Sequence, residues 1–257
     1  MITVAICGQK GGTGKTTTAA ALGAGLRKQG STVLYVDLDA QGSLSYILEA
    51  DHAGLSGMSS LEVMEGTITA EAAIQHTAAG DIIAASPALS GADSILTATG
   101  REYRLREALE PLSAAYDVAI LDAPPNLGII TINALTAASG CVIPAQADVL
   151  SLQGVNQLHK TIESVKRYCN RDLRIYGLLI TRYNGRTNIS RDAAEMLSEI
   201  AAQMDTRLYD TRIRECTAIK EAQAMRTDIY TYAPRSNAAA DYTALTIEIM
   251  EEIRKGE

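Results

Sequence analysis

The chain contains no tryptophan and no phenylalanine, so tyrosine accounts for all of its aromatic residues. Its core must therefore be aliphatic. Hydrophobic residues make up 47% of the chain, and a core of Ala, Ile, Leu and Val suits a parallel sheet covered on both faces. Cysteine is equally scarce: Cys7, Cys141, Cys169 and Cys216 lie far apart with no C-x-x-C pair, which excludes a disulfide framework or zinc site and fits a reducing cytosol. Long apolar runs are missing too. Nowhere do about 18 consecutive apolar residues occur, and no basic segment followed by a long apolar stretch precedes the first apolar run at Ile2, so neither export nor membrane spanning is expected. Positive charge is in deficit, with 23 Lys and Arg against 30 Asp and Glu for a net charge of -7. That balance argues against a protein that coats nucleic acid electrostatically.

What is present begins at Gly8. The segment Gly8 to Thr17 reads G-Q-K-G-G-T-G-K-T-T, follows an apolar strand over Ile2 to Cys7 and opens a helix over Lys15 to Gln29. Glycines there let backbone N–H groups turn inward on a polyphosphate, the helix N-terminus adds its positive end, and Lys15 reaches the terminal phosphates while Thr16 is placed to hold Mg2+. Gln9 stands where a strict phosphate-loop pattern has its first glycine, and a second lysine, Lys10, precedes the Gly11-Gly12 pair.

A second strand, Thr32 to Asp39, ends in D-L-D-A-Q-G. Alternation places Asp37 and Asp39 on one side at a carboxyl end beside the phosphates, where two carboxylates need a cation or a polarised water between them and the nucleotide. Four apolar positions lead into Asp122 at the end of a strand from Asp117, the arrangement in which a carboxylate holds Mg2+ through water. The loop after it, A-P-P-N-L-G, is stiffened by Pro124 and Pro125 and hinged at Gly128. Elsewhere the pattern predicts helices over Arg101 to Ala115, Leu150 to Tyr168 and Ser236 to Lys255, with strands over Asp81 to Ala85, Gly140 to Ala145 and Arg174 to Tyr183. Ser59 and Glu62 have the spacing of a capping box. His52 and His76 have no acidic or cysteine partner at ligand spacing and are expected on the surface. At 257 residues, one α/β domain is expected, a doubly wound, mostly parallel sheet flanked by helices on both faces.

The K-G-G-T-G-K-T-T stretch resembles the deviant Walker A motif of the ParA/MinD family of P-loop NTPases, and D-L-D-A-Q-G and D-A-P-P-N-L-G resemble its two switches, with Ala40 in a proline position and Asn126 in a serine position. I-P-A-Q, N-G-R-T-N and A-P-R-S-N resemble further segments of ParA-type (Soj-like) DNA partition ATPases, so the likeness runs from Thr3 to about Ile253. The resemblance implies ATP with Mg2+, held by the loop residues Gly11, Gly12, Thr13, Gly14, Lys15, Thr16 and Thr17. It assigns Asp39 to the attacking water, Thr16, Asp37 and Asp122 to the Mg2+ shell, and Lys10 to the nucleotide of a partner subunit. It further implies an ATP-dependent homodimer that binds double-stranded DNA of the nucleoid without reading sequence, a ParB-type centromere-binding partner that accelerates hydrolysis, a cytoplasmic, nucleoid-associated location, and no N-terminal helix-turn-helix domain.

The DNA-contacting arginines of the compact members fall on Arg186 and Arg214. Arg212 shares the second position, because Asp210 stands where that family has a proline. Residues 157 to 235 hold 14 basic and 10 acidic side chains, against 7 and 15 before them and 2 and 5 after. This permits a basic face, ordinary solvated helices being the other reading. Guanine readers of this fold use an Asp where Asn184 stands, which favours adenine. Two rivals share the fold. A MinD-like membrane-associated ATPase needs a basic C-terminal amphipathic helix, whereas Glu248, Glu251, Glu252 and Glu257 outnumber Arg254 and Lys255 here. A small-molecule ligase or kinase needs a substrate pocket that no segment announces.

Overall fold

The structure is a computed structural model and describes residues 1–51, 57–185 and 188–255. Arg186 and His52 lie outside the described residues.

In chain order the strands are β1 (Ile2–Ile6), β2 (Val33–Asp37), β3 (Ile74–Thr77), β4 (Gly80–Ile83), β5 (Val118–Asp122), β6 (Gly140–Gln146), β7 (Arg174–Tyr183) and β8 (Leu208–Arg214). They form one sheet in the order β3-β4-β2-β5-β1-β6-β7-β8. Every pairing is parallel except β3 with β4. The α-helices are α1 (Lys15–Lys28), α2 (Ser43–Ile47), α3 (Ser60–Glu65), α4 (Ala70–Ala73), α5 (Ala92–Ile95), α6 (Arg104–Leu109), α7 (Ile129–Ala137), α8 (Val149–Tyr168), α9 (Asn188–Gln203), α10 (Thr217–Ala224), α11 (Ile229–Tyr232) and α12 (Asn237–Arg254). The expected doubly wound α/β fold is the one observed.

Strand β1 shows how the pleat builds two cores. Val4 and Ile6 face a layer that includes Leu22, Leu26, Tyr242 and Ile249 from α1 and α12, whereas Ala5 and Cys7 face one that includes Leu135, Leu158 and Ile162 from α7 and α8. Period-2 alternation thus sends neighbours to opposite faces. The tyrosines do the work that Phe and Trp do elsewhere: Tyr35, Tyr209 and Tyr242 are fully buried. Small residues make room for them. A Cβ at Gly140 would sit 2.5 Å from the Tyr176 ring, and one at Gly25 would sit 2.8 Å from the Tyr230 hydroxyl.

Strand β1 lies between β5 and β6; its own connection runs to β2 on one side, whereas that of β5 crosses it to β6 on the other, so the crevice opens at its carboxyl end. Register places Ile6 beside Asp122 and Asp122 beside Asp37. The far edge, β8, is closed by α12. Glu248 accepts from the backbone N–H groups of Asp210 and Thr211 at 3.0 and 2.9 Å, and Asp241 accepts from that of Arg214 at 3.0 Å, which blunts an edge that could otherwise pair with another chain.

Three expectations are corrected. The helix predicted over Arg101 to Ala115 is instead a 3₁₀ turn (Arg101–Tyr103), α6, and a second 3₁₀ segment (Glu110–Ala114). Pro111 has no N–H to donate and its ring crowds the preceding turn, so α6 ends at Leu109. Strand β3 was not expected; it is a short, largely polar edge strand antiparallel to β4. That hairpin also gives His76 an acidic partner, Asp81, at 2.7 Å, although the imidazole is exposed as expected. The capping box at Ser59 and Glu62 is present.

Candidate active site

The phosphate loop leaves β1 and turns twice through left-handed backbone, at Gly12 (φ 78°) and Gly14 (φ 87°), where a Cβ would be strained. Gly14 is the N-cap of α1 and offers no side-chain cap, and no acidic residue lies in the first turn. The amino end of a 14-residue helix therefore presents unsatisfied N–H groups to whatever occupies the crevice. Gly11 and Gly12 have no neighbour within 4 Å of where a Cβ would lie, so the loop is open on that side. Lys15 is buried, and its ammonium rests on the carbonyl oxygen of Lys10 at 3.3 Å. Burial lowers its pKa, and the charges of Asp122 and Asp39 oppose that shift. Thr13 is also buried, whereas Thr17 accepts from Gln223 Nε2 at 2.9 Å.

Two carboxylates, Asp37 and Asp122, stand side by side at strand ends, with Asp39 in the turn beyond β2. Asp122 is buried, and neither of its carboxylate oxygens has a well-formed hydrogen bond among the described residues. Burial raises its pKa well above the usual range; the adjacent Asp37 adds to this, while the nearby Thr16 hydroxyl and Lys15 pull it down. Two orphaned buried oxygens beside a threonine hydroxyl are a hard-oxygen donor set suited to Mg2+. No three His, Cys, Asp or Glu side chains cluster closely enough to hold a metal by themselves among the described residues, so phosphate and water would complete its shell.

Asp37 is placed differently. Its Oδ2 accepts from the Ser45 backbone N–H at 2.8 Å and the Ser45 hydroxyl at 2.7 Å, and Oδ1 accepts from the Asp39 N–H at 3.1 Å. Burial pushes its pKa up to about 6 against those bonds. Asp37 thereby staples α2 and the loop before it to the end of β2. The strand stops at Asp37, so simple alternation does not carry Asp39 into place. Instead Asp39 sits half-buried in a turn, accepting from the Gln41 N–H at 3.0 Å, with no other hydrogen bond to its carboxylate among the described residues.

Lys10 is not in its own cradle. Its ammonium donates to Asp148 Oδ2 at 2.6 Å, and Asp148 is also the N-cap of α8, accepting from the Ser151 N–H at 2.9 Å. The loop after β5 is tied at its far end, where the Ile129 N–H donates to Asp93 Oδ1 at 3.0 Å. A Cβ at Gly128 would lie 2.6 Å from Asp93 Oδ2, which explains the glycine by close approach.

Beside the phosphate loop a cleft of about 170 Å3 runs between Gly12, Gly14 and Thr17 and the segment Arg214, Glu215, Cys216 and Ile219. Thr181 and Arg182 line it, and Asn184 does not. Arg182 pairs with Glu215 at 2.9 Å. The expected DNA-facing arginines differ from each other. Arg214 is held by Asp241 through Nε at 3.0 Å and Nη2 at 2.5 Å, with about half of its side chain exposed. Arg212 is exposed, stacked over the Tyr183 ring at 4.6 Å and donating to its hydroxyl at 2.6 Å.

Asp148, Ser45 and Asp93 were not singled out from sequence. Asp148 precedes an apolar helical run with Ser151 three residues on, which is an N-cap signal; its pairing with Lys10 across 138 positions has none.

Residues 1–175 match an AAA domain family (AAA_31). The sporulation initiation inhibitor protein Soj of Bacillus subtilis is 37% identical over 96% of this chain and 97% of its own length. The chromosome-partitioning ATPase Soj of Thermus thermophilus is 37% identical over 98% and 96%. A solved structure of cobyrinic acid a,c-diamide synthase from Mycobacterium smegmatis, with bound ATP analogue and magnesium, has a TM-score of 0.85 at 34% identity, covering 100% of this chain and 97% of that one. Fold and site define a P-loop ATPase. Within that class the chain belongs to the Soj/ParA family of chromosome-partitioning ATPases.

Proposed function

We propose that the chain is an ATP-driven switch for DNA partition, in which MgATP closes a dimer that holds DNA and hydrolysis to ADP and phosphate releases it. The observation that carries this reading is the position of Lys10. Lys15 already occupies the cradle, whereas Lys10 is tied to Asp148 on its flank with about 29% of its side chain exposed. A second cation placed outside its own site is available to the nucleotide of a facing subunit.

The residues divide the chemistry as follows. Backbone N–H groups of Gly11 to Thr16 bind the phosphates, and Lys15 neutralises the terminal ones. Asp39, with a carboxylate oxygen free of protein donors, orients the attacking water. Thr16 and Asp122 would hold Mg2+, with Asp37 supporting its shell, and the ion would supply neutralisation of phosphate charge. The cleft toward Arg182 and Cys216 continues the loop in the direction a nucleoside would take. Closing two subunits joins two copies of the Arg212 side of β8, with Arg214 on the same strand and Arg186 proposed from the sequence as a further contact, turning weak single-subunit attraction into bivalent, salt-sensitive binding. A ParB-type protein at a centromere-like site is the proposed activator of hydrolysis, with the nucleoid as the surface on which the cycle runs. Membrane attachment is disfavoured because α12 turns Asp241, Glu248 and Glu252 to strand β8 and Arg174 and carries no basic apolar-backed face. Among the described residues no helix is long and apolar enough to cross a membrane.

Sedimentation with random-sequence duplex DNA at several salt concentrations tests the reading. DNA is expected to be retained with MgATP and released with MgADP, with a steep loss as salt rises. Equal retention with both nucleotides would overturn it. Turnover that responds to cobyrinic acid and not to DNA would favour the synthase activity named for the M. smegmatis relative.

A further inference from the structure

A phosphate loop binds through N–H groups, and something must keep those groups turned inward before the phosphates arrive. Two side chains outside the loop hold carbonyls of it. Gln146 Nε2 donates to the carbonyl oxygen of Gly12 at 2.6 Å, and the Thr181 hydroxyl donates to that of Thr13 at 2.7 Å while also lying 3.3 Å from the Ala145 carbonyl. Gln146 and Thr181 are register partners at the carboxyl ends of the neighbouring strands β6 and β7, so consecutive carbonyls of the loop are met by paired positions of the sheet. In a trans peptide the carbonyl of one residue and the N–H of the next point in opposite directions. Anchoring the Gly12 carbonyl outward therefore aims the Thr13 N–H into the cradle, and anchoring the Thr13 carbonyl aims the Gly14 N–H. A third carbonyl, that of Lys10, is held among the described residues only from within the loop, by Thr13 Oγ1 and Lys15 Nζ at 3.3 Å each.

We propose that Gln146 and Thr181 are positioning residues for the nucleotide: each fixes one phosphate-binding N–H by holding the carbonyl behind it. This rests on the reading of the loop as a nucleotide site. Both peptide planes lie where Gly12 and Gly14 have left-handed backbone that glycine leaves soft. Without the anchors, the planes would turn freely and the cradle would be organised at the expense of binding. Thr181 is buried, and its methyl packs 3.5 Å from where a Gly14 Cβ would lie, so Thr181→Val keeps the shape and removes only the donor.

The test is MgADP titration of the full chain by calorimetry, with amide spectra of the loop recorded alongside. Thr181→Val is expected to weaken MgADP about tenfold, Thr181→Ser to restore it, and Gln146→Met, at a half-exposed position, to weaken it by a similar factor. The spectra separate positioning from general loosening: Thr181→Val should diminish the ADP-induced shift of the Gly14 amide and spare Gly11, and Gln146→Met should diminish that of Thr13. MgADP affinity within twofold of wild type in both Thr181→Val and Gln146→Met would overturn the inference. So would uniform loss of all loop shifts in both, or a Thr181→Ser as defective as Thr181→Val. Absence of MgADP binding by the wild-type chain would instead overturn the nucleotide reading itself.

Discussion

Lys15 sits where a cation is least comfortable, buried at the floor of the loop with its pKa lowered by that burial. Its resting partner is a neutral carbonyl, so a polyphosphate is the better one. Lys15→Ala is expected to reduce MgATP affinity by at least about a hundredfold, because charge-assisted bonds to the phosphates are lost; fluorescent-nucleotide titration near wild-type affinity would contradict the assignment. Asp37 makes a second prediction, for the protein without nucleotide or metal. Its folded pKa is about 6, above an unfolded value of about 3.9. For an acid raised in the fold, the native state binds more protons between those values, so this contribution to stability is greatest below the lower one, falls as pH rises to about 6 and stays low above it. At pH 7 the charged buried group costs the fold roughly 2 kcal/mol relative to pH 4. Denaturant melts from pH 4.5 to 7 should show a fall in stability that is smaller in Asp37→Asn; identical slopes in the two proteins would count against it. Single residues were legible where chemistry and local pattern coincide: Lys15, Asp39 and Asp122 each stand at the end of an apolar run or inside the glycine turn. Ser45 was not, because its bonds to Asp37 depend on how α2 folds back onto β2.

At the scale of elements, the site is a meeting of strand ends with the first turns of α1 and α8. Strand β1 with its loop and β5 with Asp122 could be read from periodicity. The grip of β6, β7 and α8 on the loop could not, since Gln146, Asp148 and Thr181 reach it across 134, 138 and 168 positions. The helix expected over residues 101–115 failed for a local reason, Pro111, whose effect on the turn before it outweighed an amphipathic pattern. The Lys10–Asp148 pair gives the third prediction. Both side chains are about a third exposed, so the pair is worth at most about 1 kcal/mol, a hold that ATP-dependent docking can displace. Asp148→Asn keeps an N-cap on α8 and releases Lys10. Its thermal midpoint should drop only slightly, and its dimer should form at lower MgATP than wild type in light scattering. An unchanged MgATP threshold would show that the pair does not restrain Lys10.

Over the whole molecule, a net charge of -7 opposes DNA, so the proposed binding would have to come from local arrangement. Much of the basic quarter is already neutralised: Arg182 by Glu215, Arg207 by Glu248 and Arg214 by Asp241. Arg212 pairs with a tyrosine instead and keeps its charge available. Arg212→Glu is therefore expected to abolish DNA retention with MgATP at little cost in stability. Arg214→Glu should lose both, because it sets two carboxylates against each other at the β8 edge. DNA sedimentation paired with thermal melts distinguishes these outcomes, and undiminished binding by Arg212→Glu would place the DNA surface elsewhere. In the proposed switch, ATP joins two chains through Lys10. That step is tested most directly by light scattering after size exclusion in MgATP, comparing Asp39→Ala with Lys10→Ala/Asp39→Ala. The single variant should run at twice the chain mass and the double variant as a monomer that still binds ATP; a double variant that dimerises as fully as the single one would contradict the account.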